Sequence, residues 1–147
     1  MEKSLHYALY LLTYRDRSVN ELWNLLLRKG YSEEEVSSVV ETLCSWNYLN
    51  DRRFAETWVE ARLRLKPMGP FRLEQELRRK GVADEVIEKV LGDVFSIVSE
   101  EELAQKLAEK KMKNRPWRRV ENFLRYRGFS WGVIEALRIR FNQHSYD

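Results

Sequence analysis

The chain has 147 residues, of which 44% are hydrophobic and 33% charged, and its formal net charge is +3. Five tryptophans, seven tyrosines and six phenylalanines exclude a disordered charged tail, because such tails lack the residues that build a core. Six glycines and three prolines are too few for the many tight turns of a sandwich or barrel, which excludes an all-β fold.

The cysteine content and the length of the apolar runs indicate the cellular environment of the protein. Cys44 is the only cysteine, so it cannot form an internal disulfide, and one thiol cannot build a zinc cage. The apolar stretch from Leu9 to Leu12 is far shorter than the roughly 20 residues of a membrane span. We therefore expect a cytoplasmic protein with no membrane partner, in which Cys44 is a small buried apolar residue.

Three segments in which a basic residue precedes glycine divide the sequence into repeats. The glycines are Gly30, Gly81 and Gly128, and apolar residues recur eight and four positions before each of them and one, six and nine positions after it. Apolar residues that are spaced four apart and followed by Lys-Gly or Arg-Gly predict a helix that ends at the glycine. The recurring apolar residues are Leu22, Leu26, Tyr31, Val36 and Val39, then Leu73, Leu77, Val82, Ile87 and Val90, then Val120, Leu124, Phe129, Ile134 and Leu137.

The first repeat predicts three helices. Ser18 with Glu21, and Ser32 with Glu35, have the spacing of capping boxes and predict the starts of the second and third helices. The apolar face of the first helix comprises Leu5, Ala8, Leu9 and Leu12.

The second repeat predicts three more helices, the first of which begins near Asp51. The segment from Pro67 to Pro70 breaks this helix from the next, and we expect Asp84 to cap the last helix of the repeat. The apolar face of the first of these helices comprises Phe54, Trp58, Ala61 and Leu65.

The third repeat predicts a helix after Ser99, a second helix with Pro116 in its first turn, and a third that is capped by Ser130. The apolar face of the first of these comprises Leu103, Ala104, Leu107 and Ala108.

These nine helices, with no period-two alternation, predict an all-α fold of three tandem three-helix repeats at residues 1–48, 49–96 and 97–147. Units of this size bury too little surface alone, so we expect them to stack into an elongated, curved helical array. We also expect four tryptophans to pack between helices, namely Trp23, Trp46, Trp58 and Trp131.

The residue types needed for catalysis do not cluster. His6 and His144 stand near opposite ends of the chain, so the spacing of a metal-binding histidine pair is absent. The glutamate runs at 33–35 and 100–102 fall in first turns, where negative charge stabilises a helix. We therefore predict a protein that is not an enzyme and that has no catalytic site, no metal and no cofactor.

Charge is graded along the chain, with a net −2 over residues 1–50, +1 over 51–96 and +4 over 97–147. Basic residues in this arrangement are suited to bind phosphate oxygens. For each basic residue taken alone, the alternative is that it lies on an ordinary solvated helix face. Trp117, beside several of the cations, is a candidate for stacking on a base. The candidate interface cations are Arg62, Arg72, Arg78, Arg79, Lys80, Lys106, Lys110, Lys113, Arg118, Arg119 and Arg125.

Part of the second repeat resembles the signature of the RecX family. The matching residues are Tyr48-Leu49-Asn50-Asp51-Arg52-Arg53-Phe54-Ala55, Trp58-Val59, Arg62, Gly69-Pro70, Leu73, Glu76-Leu77 and Lys80-Gly81-Val82. The first repeat is similar to the N-terminal unit of the family through the segments 15–18 and 27–30. After Ser96 the match is mainly one of periodicity.

The resemblance implies an all-helical modulator of the RecA recombinase. Members of the family lie along the groove of the RecA–DNA filament and hinder its extension and its ATP-dependent activities, in DNA recombination, DNA repair and the SOS response. Among the matching residues, it favours Arg62, Arg72, Arg79 and Lys80 as exposed interface residues. Two alternatives remain at this point, a module that binds single- or double-stranded DNA directly and a helical scaffold for another protein. We expect a monomer, because no long exposed heptad seam is present.

Overall fold

A computed structural model describes residues 2–144 of the chain, with side chains to residue 142, so the side chain of His144 lies outside the described part. Over this range the chain forms nine α-helices and no β-strand, which confirms the all-α fold. The helices are α1 (Glu2–Tyr14), α2 (Val19–Lys29), α3 (Glu33–Ser45), α4 (Asp51–Leu65), α5 (Pro70–Arg79), α6 (Asp84–Ile97), α7 (Glu100–Lys111), α8 (Trp117–Tyr126) and α9 (Trp131–His144).

The three repeat glycines end the middle helix of each repeat. Gly30, Gly81 and Gly128 have φ values of 111°, 80° and 84°, which are left-handed conformations that a side chain disfavours. The basic residue and glycine seen in the sequence therefore mark the ends of α2, α5 and α8, as predicted.

The recurring apolar residues form the core. All of them are buried except Tyr31, which is half-buried against the first-repeat core. In the first repeat α1, α2 and α3 pack on one another, and in the third repeat α7, α8 and α9 do the same. This periodic burial confirms the tandem three-helix organisation.

Serine caps begin several helices. The Ser18 side chain and Glu21 form the predicted capping box of α2, and the Ser32 and Ser99 side chains accept backbone N–H bonds at the starts of α3 and α7. The predicted cap at Asp84 is wrong. Asp84 is the first residue inside α6, and its carboxylate accepts a hydrogen bond from Arg78.

Two side chains that we expected to be buried are exposed. Cys44 directly follows the buried Leu43 on α3, and the helical rotation of 100° per residue carries its side chain away from the core. Leu65 is 75% exposed because it is the last residue of α4, beyond the buried Phe54, Ala55 and Val59.

The tryptophans divide by their place in the helices. Trp23 and Trp58 lie within helices and are half-buried, in accord with the prediction. The prediction is wrong for Trp46, which follows the last residue of α3 and is 53% exposed, and for Trp131, which begins α9 and is 62% exposed. At the end of a helix a side chain has fewer neighbouring turns to cover it.

The described chain separates into two compact units. One comprises Met1–Thr57 and Leu77–Ile87, and the other comprises Trp58–Glu76 and Glu88–Asp147. The two repeat boundaries that we placed at 48/49 and 96/97 stay a prediction. None of the helices in the described part is long and apolar enough to cross a membrane.

Candidate functional site

In the first compact unit, the start of α2 contacts the turn after α5, and we call this contact the first joint. The Ser18 Oγ donates a hydrogen bond to the Lys80 carbonyl oxygen at 2.6 Å, and Lys80 Nζ lies 3.0 Å from Glu21 Oε2. The turn approaches so closely that a Cβ on Gly81 would lie 2.6 Å from the Asn20 Cγ. A side chain at position 81 would collide with Asn20 and would also be strained by the positive φ. Both reasons require glycine at this turn.

Glu21 is the electrostatic centre of the first joint. Burial by itself would raise the pKa of this carboxyl, but hydrogen bonds from Arg15, the Ser18 amide and Lys80 outweigh burial and lower the pKa. Its Oε2 lies 2.6 Å from the Arg15 Nη2. The joint is thus held by a carboxylate that remains charged at neutral pH.

In the second compact unit, the start of α5 contacts the turn after α8, and we call this contact the second joint. The Gly69 amide donates to the Arg127 carbonyl at 2.7 Å, and the Phe71 amide donates to the Gly128 carbonyl at 3.0 Å. The Arg127 Nη1 donates to the Pro67 carbonyl at 2.6 Å. Backbone lies directly against backbone, so a Cβ on Gly69 would overlap the Gly128 carbonyl group.

The two joints use equivalent positions of the repeat. Ser18 and Gly69 each stand twelve residues before the repeat glycine, and Lys80 and Arg127 each precede a repeat glycine. In both joints, the start of the middle helix of one repeat contacts the basic residue and the glycine that follow the middle helix of the next repeat. The sequence contains this signal, since a basic residue precedes the glycine in all three repeats, but the local pattern indicates only a helix stop.

Cations crowd together at the second joint. The Arg72 Nη1 donates to the Tyr126 carbonyl at 3.2 Å, and its guanidinium lies 4.6 Å from the centre of the Tyr126 ring. A hydrogen bond from Arg72, and then the charges of Arg72 and Lys66, lower the pKa of the Tyr126 hydroxyl. Burial and the charge of Arg72 lower the pKa of Arg127. Both shifts reflect nearby cations, and the Glu76 Oε2 lies 3.9 Å from the Arg72 Nε.

Exposed aromatic rings surround these cations. Phe71, Tyr126 and Trp131 are 56%, 69% and 62% exposed, and the Arg125 guanidinium lies 5.9 Å from the centre of the Trp131 ring. We call Lys66, Phe71, Arg125, Tyr126 and Trp131 the aromatic–cationic patch. Rings that stack on bases, beside cations that attract phosphates, are the usual means of binding single-stranded nucleic acid.

Phe71 and Tyr126 are not among the residues predicted from the sequence to contact a partner. Each stands next to an arginine, and a ring adjacent to a basic residue was the available signal. The exposure of these rings depends on the second joint, which joins positions 54 residues apart and leaves no local pattern.

Of the predicted interface cations, five are bound within the chain. Arg62, Arg72 and Lys80 are half-buried instead of exposed, because each lies along a carboxylate or carbonyl of a neighbouring helix. The partners are Glu76 for Arg62 (2.9 Å), the Tyr126 carbonyl and Glu76 (3.9 Å) for Arg72, Asp84 for Arg78 (3.0 Å), Glu21 for Lys80 (3.0 Å) and Glu121 for Arg125 (3.8 Å).

The other predicted cations are exposed, and among the side chains described to residue 142 none has a partner for its charge. Two of them, Arg118 and Arg119, lie in the first turn of α8, where a positive charge opposes the helix dipole and costs about 0.3–1 kcal/mol. Their placement does not serve the stability of that helix. The unpaired cations are Arg79, Lys106, Lys110, Lys113, Arg118 and Arg119.

Within the described residues, no three histidine, cysteine, aspartate or glutamate side chains are grouped so that they could hold a metal ion.

Comparison with family models finds three matches in order along the chain. The first three-helix domain of RecX matches residues 5–43, the second matches 50–91 and the third matches 99–137. Each of the three matches lies within one of the predicted repeats.

Relatives and a solved structure agree with these matches. The chain is 38% identical to the regulatory protein RecX of Pelodictyon phaeoclathratiforme, over 92% of this chain and 88% of that protein. It is 36% identical to the regulatory protein RecX of Geobacillus sp. (strain WCH70), over 93% of this chain and 53% of that protein, of which it therefore spans about half. The crystal structure of RecX from Lactobacillus salivarius has the same fold, with a TM-score of 0.78, 24% identity, and coverage of 97% and 96% of the two chains.

Proposed function

The chain belongs to the RecX family of regulatory proteins, and on that premise we propose that it binds the RecA–DNA filament and mainly inhibits the recombinase and ATPase activities of RecA. The observation that supports this proposal is the succession of three RecX domains over residues 5–137. The proposed working form is a monomer without a catalytic role of its own, which acts in the cytoplasm on a filament in DNA recombination and repair.

We assign the filament contact first to the unpaired cations of the third repeat. Lys110, Arg118 and Arg119 are exposed and lack a partner within the described residues. Cations without internal partners lose no existing ion pair when they bind an anionic surface, so the whole charge interaction is available to binding. Arg72 and Lys80, by contrast, support the joints, and their loss would act through the fold.

The test is a titration of the protein into RecA on single-stranded DNA, with ATP hydrolysis as the readout. We expect hydrolysis to fall as the protein approaches the concentration of RecA subunits. The double variant Arg118→Glu/Arg119→Glu should need about tenfold more protein for the same inhibition, since a rim charge pair is worth on the order of 1 kcal/mol. It should remain folded, because the reversal favours the α8 dipole.

The matched control is the double variant Arg28→Glu/Arg64→Glu, which makes the same change in net charge at exposed arginines outside this group. It should inhibit RecA within about twofold of the wild type. Unchanged RecA hydrolysis at equimolar wild-type protein would refute the proposed function. An unrelated protein recovered by affinity purification in that case would favour the scaffold alternative.

A second candidate function, direct binding of single-stranded DNA, is favoured by the aromatic–cationic patch. The patch combines exposed rings with a local excess of positive charge. Stacking of one base on an aromatic ring is worth about 1–3 kcal/mol, and the phosphates would add a steep dependence on salt.

The test uses a fluorescent oligothymidylate without RecA, at several salt concentrations. We expect Trp131→Ala to weaken binding by about tenfold or more, in proportion to one lost stacking contact. Trp46→Ala, which removes an exposed tryptophan outside the patch, is the control and should leave affinity unchanged. Binding that is insensitive to salt or equally affected by both variants would exclude this function for the patch.

A further inference from the structure

The third repeat contains a largely apolar cavity of about 930 Å³, and of its lining residues only Lys113 belongs to the filament contact proposed above. It lies between the end of α7, the connection to α8, the start of α8 and the end of α9. Side chains of every one of these elements contribute to its walls. The apolar lining residues are Ala108, Met112, Pro116, Trp117, Val120, Leu137 and Phe141.

Trp117 gives the cavity a polar group without a partner. Its ring is half-buried and lies 5.5 Å, centre to centre, from the Phe141 ring. Its indole Nε1–H is shielded from solvent and makes no hydrogen bond within the described part of the chain. A buried donor left unpaired costs about 1–3 kcal/mol, and an occupant's carbonyl oxygen would recover that cost only if the Trp117 ring turned its N–H into the cavity.

The rim of the cavity is predominantly positive. Lys113 and Arg115 are exposed, line the cavity, and have no side-chain partner among the described residues. Arg140 also lines it and is paired with Glu101 at 2.6 Å. The lining carboxylate, Glu109, accepts a hydrogen bond from Gln105.

We propose that this cavity binds an acidic peptide segment of a partner protein that inserts one bulky apolar side chain. The apolar walls, which include the Trp117 ring, fit the anchor, and Lys113 with Arg115 fit acidic residues beside the anchor. A nucleobase is the less favoured occupant, because five of the seven apolar lining residues are aliphatic and offer a base neither stacking nor hydrogen bonds. An apolar anchor in a pocket with a charged rim is a common arrangement in peptide recognition.

The probe is a fluorescein-labelled peptide with a central phenylalanine between two runs of four aspartates, and binding is followed by fluorescence anisotropy. Its partner probe has alanine in place of the phenylalanine. We expect the phenylalanine peptide to bind about tenfold or more tightly than the alanine peptide, in line with burial of one large apolar side chain. The indole N–H resonance of Trp117, assigned from Trp117→Phe, should shift on binding while the other tryptophan resonances stay in place.

Two variants separate the cavity from general charge attraction. Lys113→Glu/Arg115→Glu should weaken binding of the phenylalanine peptide by about tenfold or more, whereas Arg28→Glu/Arg64→Glu, with the same change in net charge, should weaken it less than about twofold. All four positions are exposed, so both variants should retain the helical circular dichroism of the wild type.

Equal affinity for the two peptides, equal effects of the two variants, or no binding would overturn the proposal. An oligothymidylate that shifts the Trp117 resonance when the peptide does not would also overturn it, and would assign the cavity to nucleic acid. These measurements contain no RecA, so their failure would leave the proposed regulation of RecA untouched.

Discussion

Replacement of Gly69 by alanine tests the second joint most directly. The φ of Gly69 is not positive, so any cost must come from the approach of the two backbones rather than from its own conformation. The added Cβ would lie 2.5 Å from the Gly128 carbonyl carbon and 2.6 Å from the Phe129 Cα. Ordinary contact begins near 3.4 Å, so the backbones would have to separate by about 0.9 Å.

The structure sets the size of the effect. Such a separation stretches the bond from the Gly69 amide to the Arg127 carbonyl, now 2.7 Å, and the bond from the Phe71 amide to the Gly128 carbonyl, now 3.0 Å. Each hydrogen bond is worth about 1 kcal/mol net, and residual overpacking costs about 1–3 kcal/mol more. Alanine also reduces the conformational entropy of the unfolded chain, which offsets about 0.4–1 kcal/mol of this destabilisation. We expect Gly69→Ala to lower the free energy of unfolding by about 2–4 kcal/mol.

The measurement is urea denaturation followed by circular dichroism, with the melting temperature as a second readout. The melting temperature should fall by about 4–16 °C at this chain length. Gly92→Ala is the control, because Gly92 lies within α6 and nothing stands within 4 Å of an added Cβ, so it should be stabilising by up to about 1 kcal/mol. A Gly69→Ala protein as stable as the wild type would refute the backbone contact at the second joint.

Three other substitutions test the repeat glycines and the first joint by the same denaturation assay. Gly128→Ala should be more destabilising than Gly30→Ala by about 1–3 kcal/mol, since both have positive φ but only the former places a Cβ against Arg72; equal losses would contradict this. Ser18→Ala should cost about 1–2 kcal/mol through the lost helix cap, and a neutral result would show that the cap is dispensable. Glu21→Gln should cost about 1–2 kcal/mol at pH 7. Because the folded pKa of Glu21 is lowered, this difference should be complete above the ordinary carboxyl pKa and disappear as the pH falls through the folded pKa; a difference that persists at pH 2 would argue against the charge interaction.

The sequence by itself determined the helices, the repeats and the family. Helix periodicity and stops are local properties, so Gly30, Gly81 and Gly128 could be recognised from their neighbours alone. The capping box of Ser18 and Glu21 spans three residues and was equally visible. The predicted Asp84 cap failed because α6 begins at Asp84 itself, so that Ala83 precedes the helix, and spacing does not fix a helix start to one residue.

Only the tertiary structure decided which charged and aromatic side chains are available. Lys80 is bound to Glu21, 59 residues away, and Arg72 to the Tyr126 carbonyl, 54 residues away, while Arg118 and Arg119 have no described partner. A run of basic residues looks the same in sequence whether its charges are paired or unpaired. Partner choice and exposure depend on which distant segments the packed core brings together, and that is the physical reason why the joints, the aromatic–cationic patch and the cavity could not be predicted.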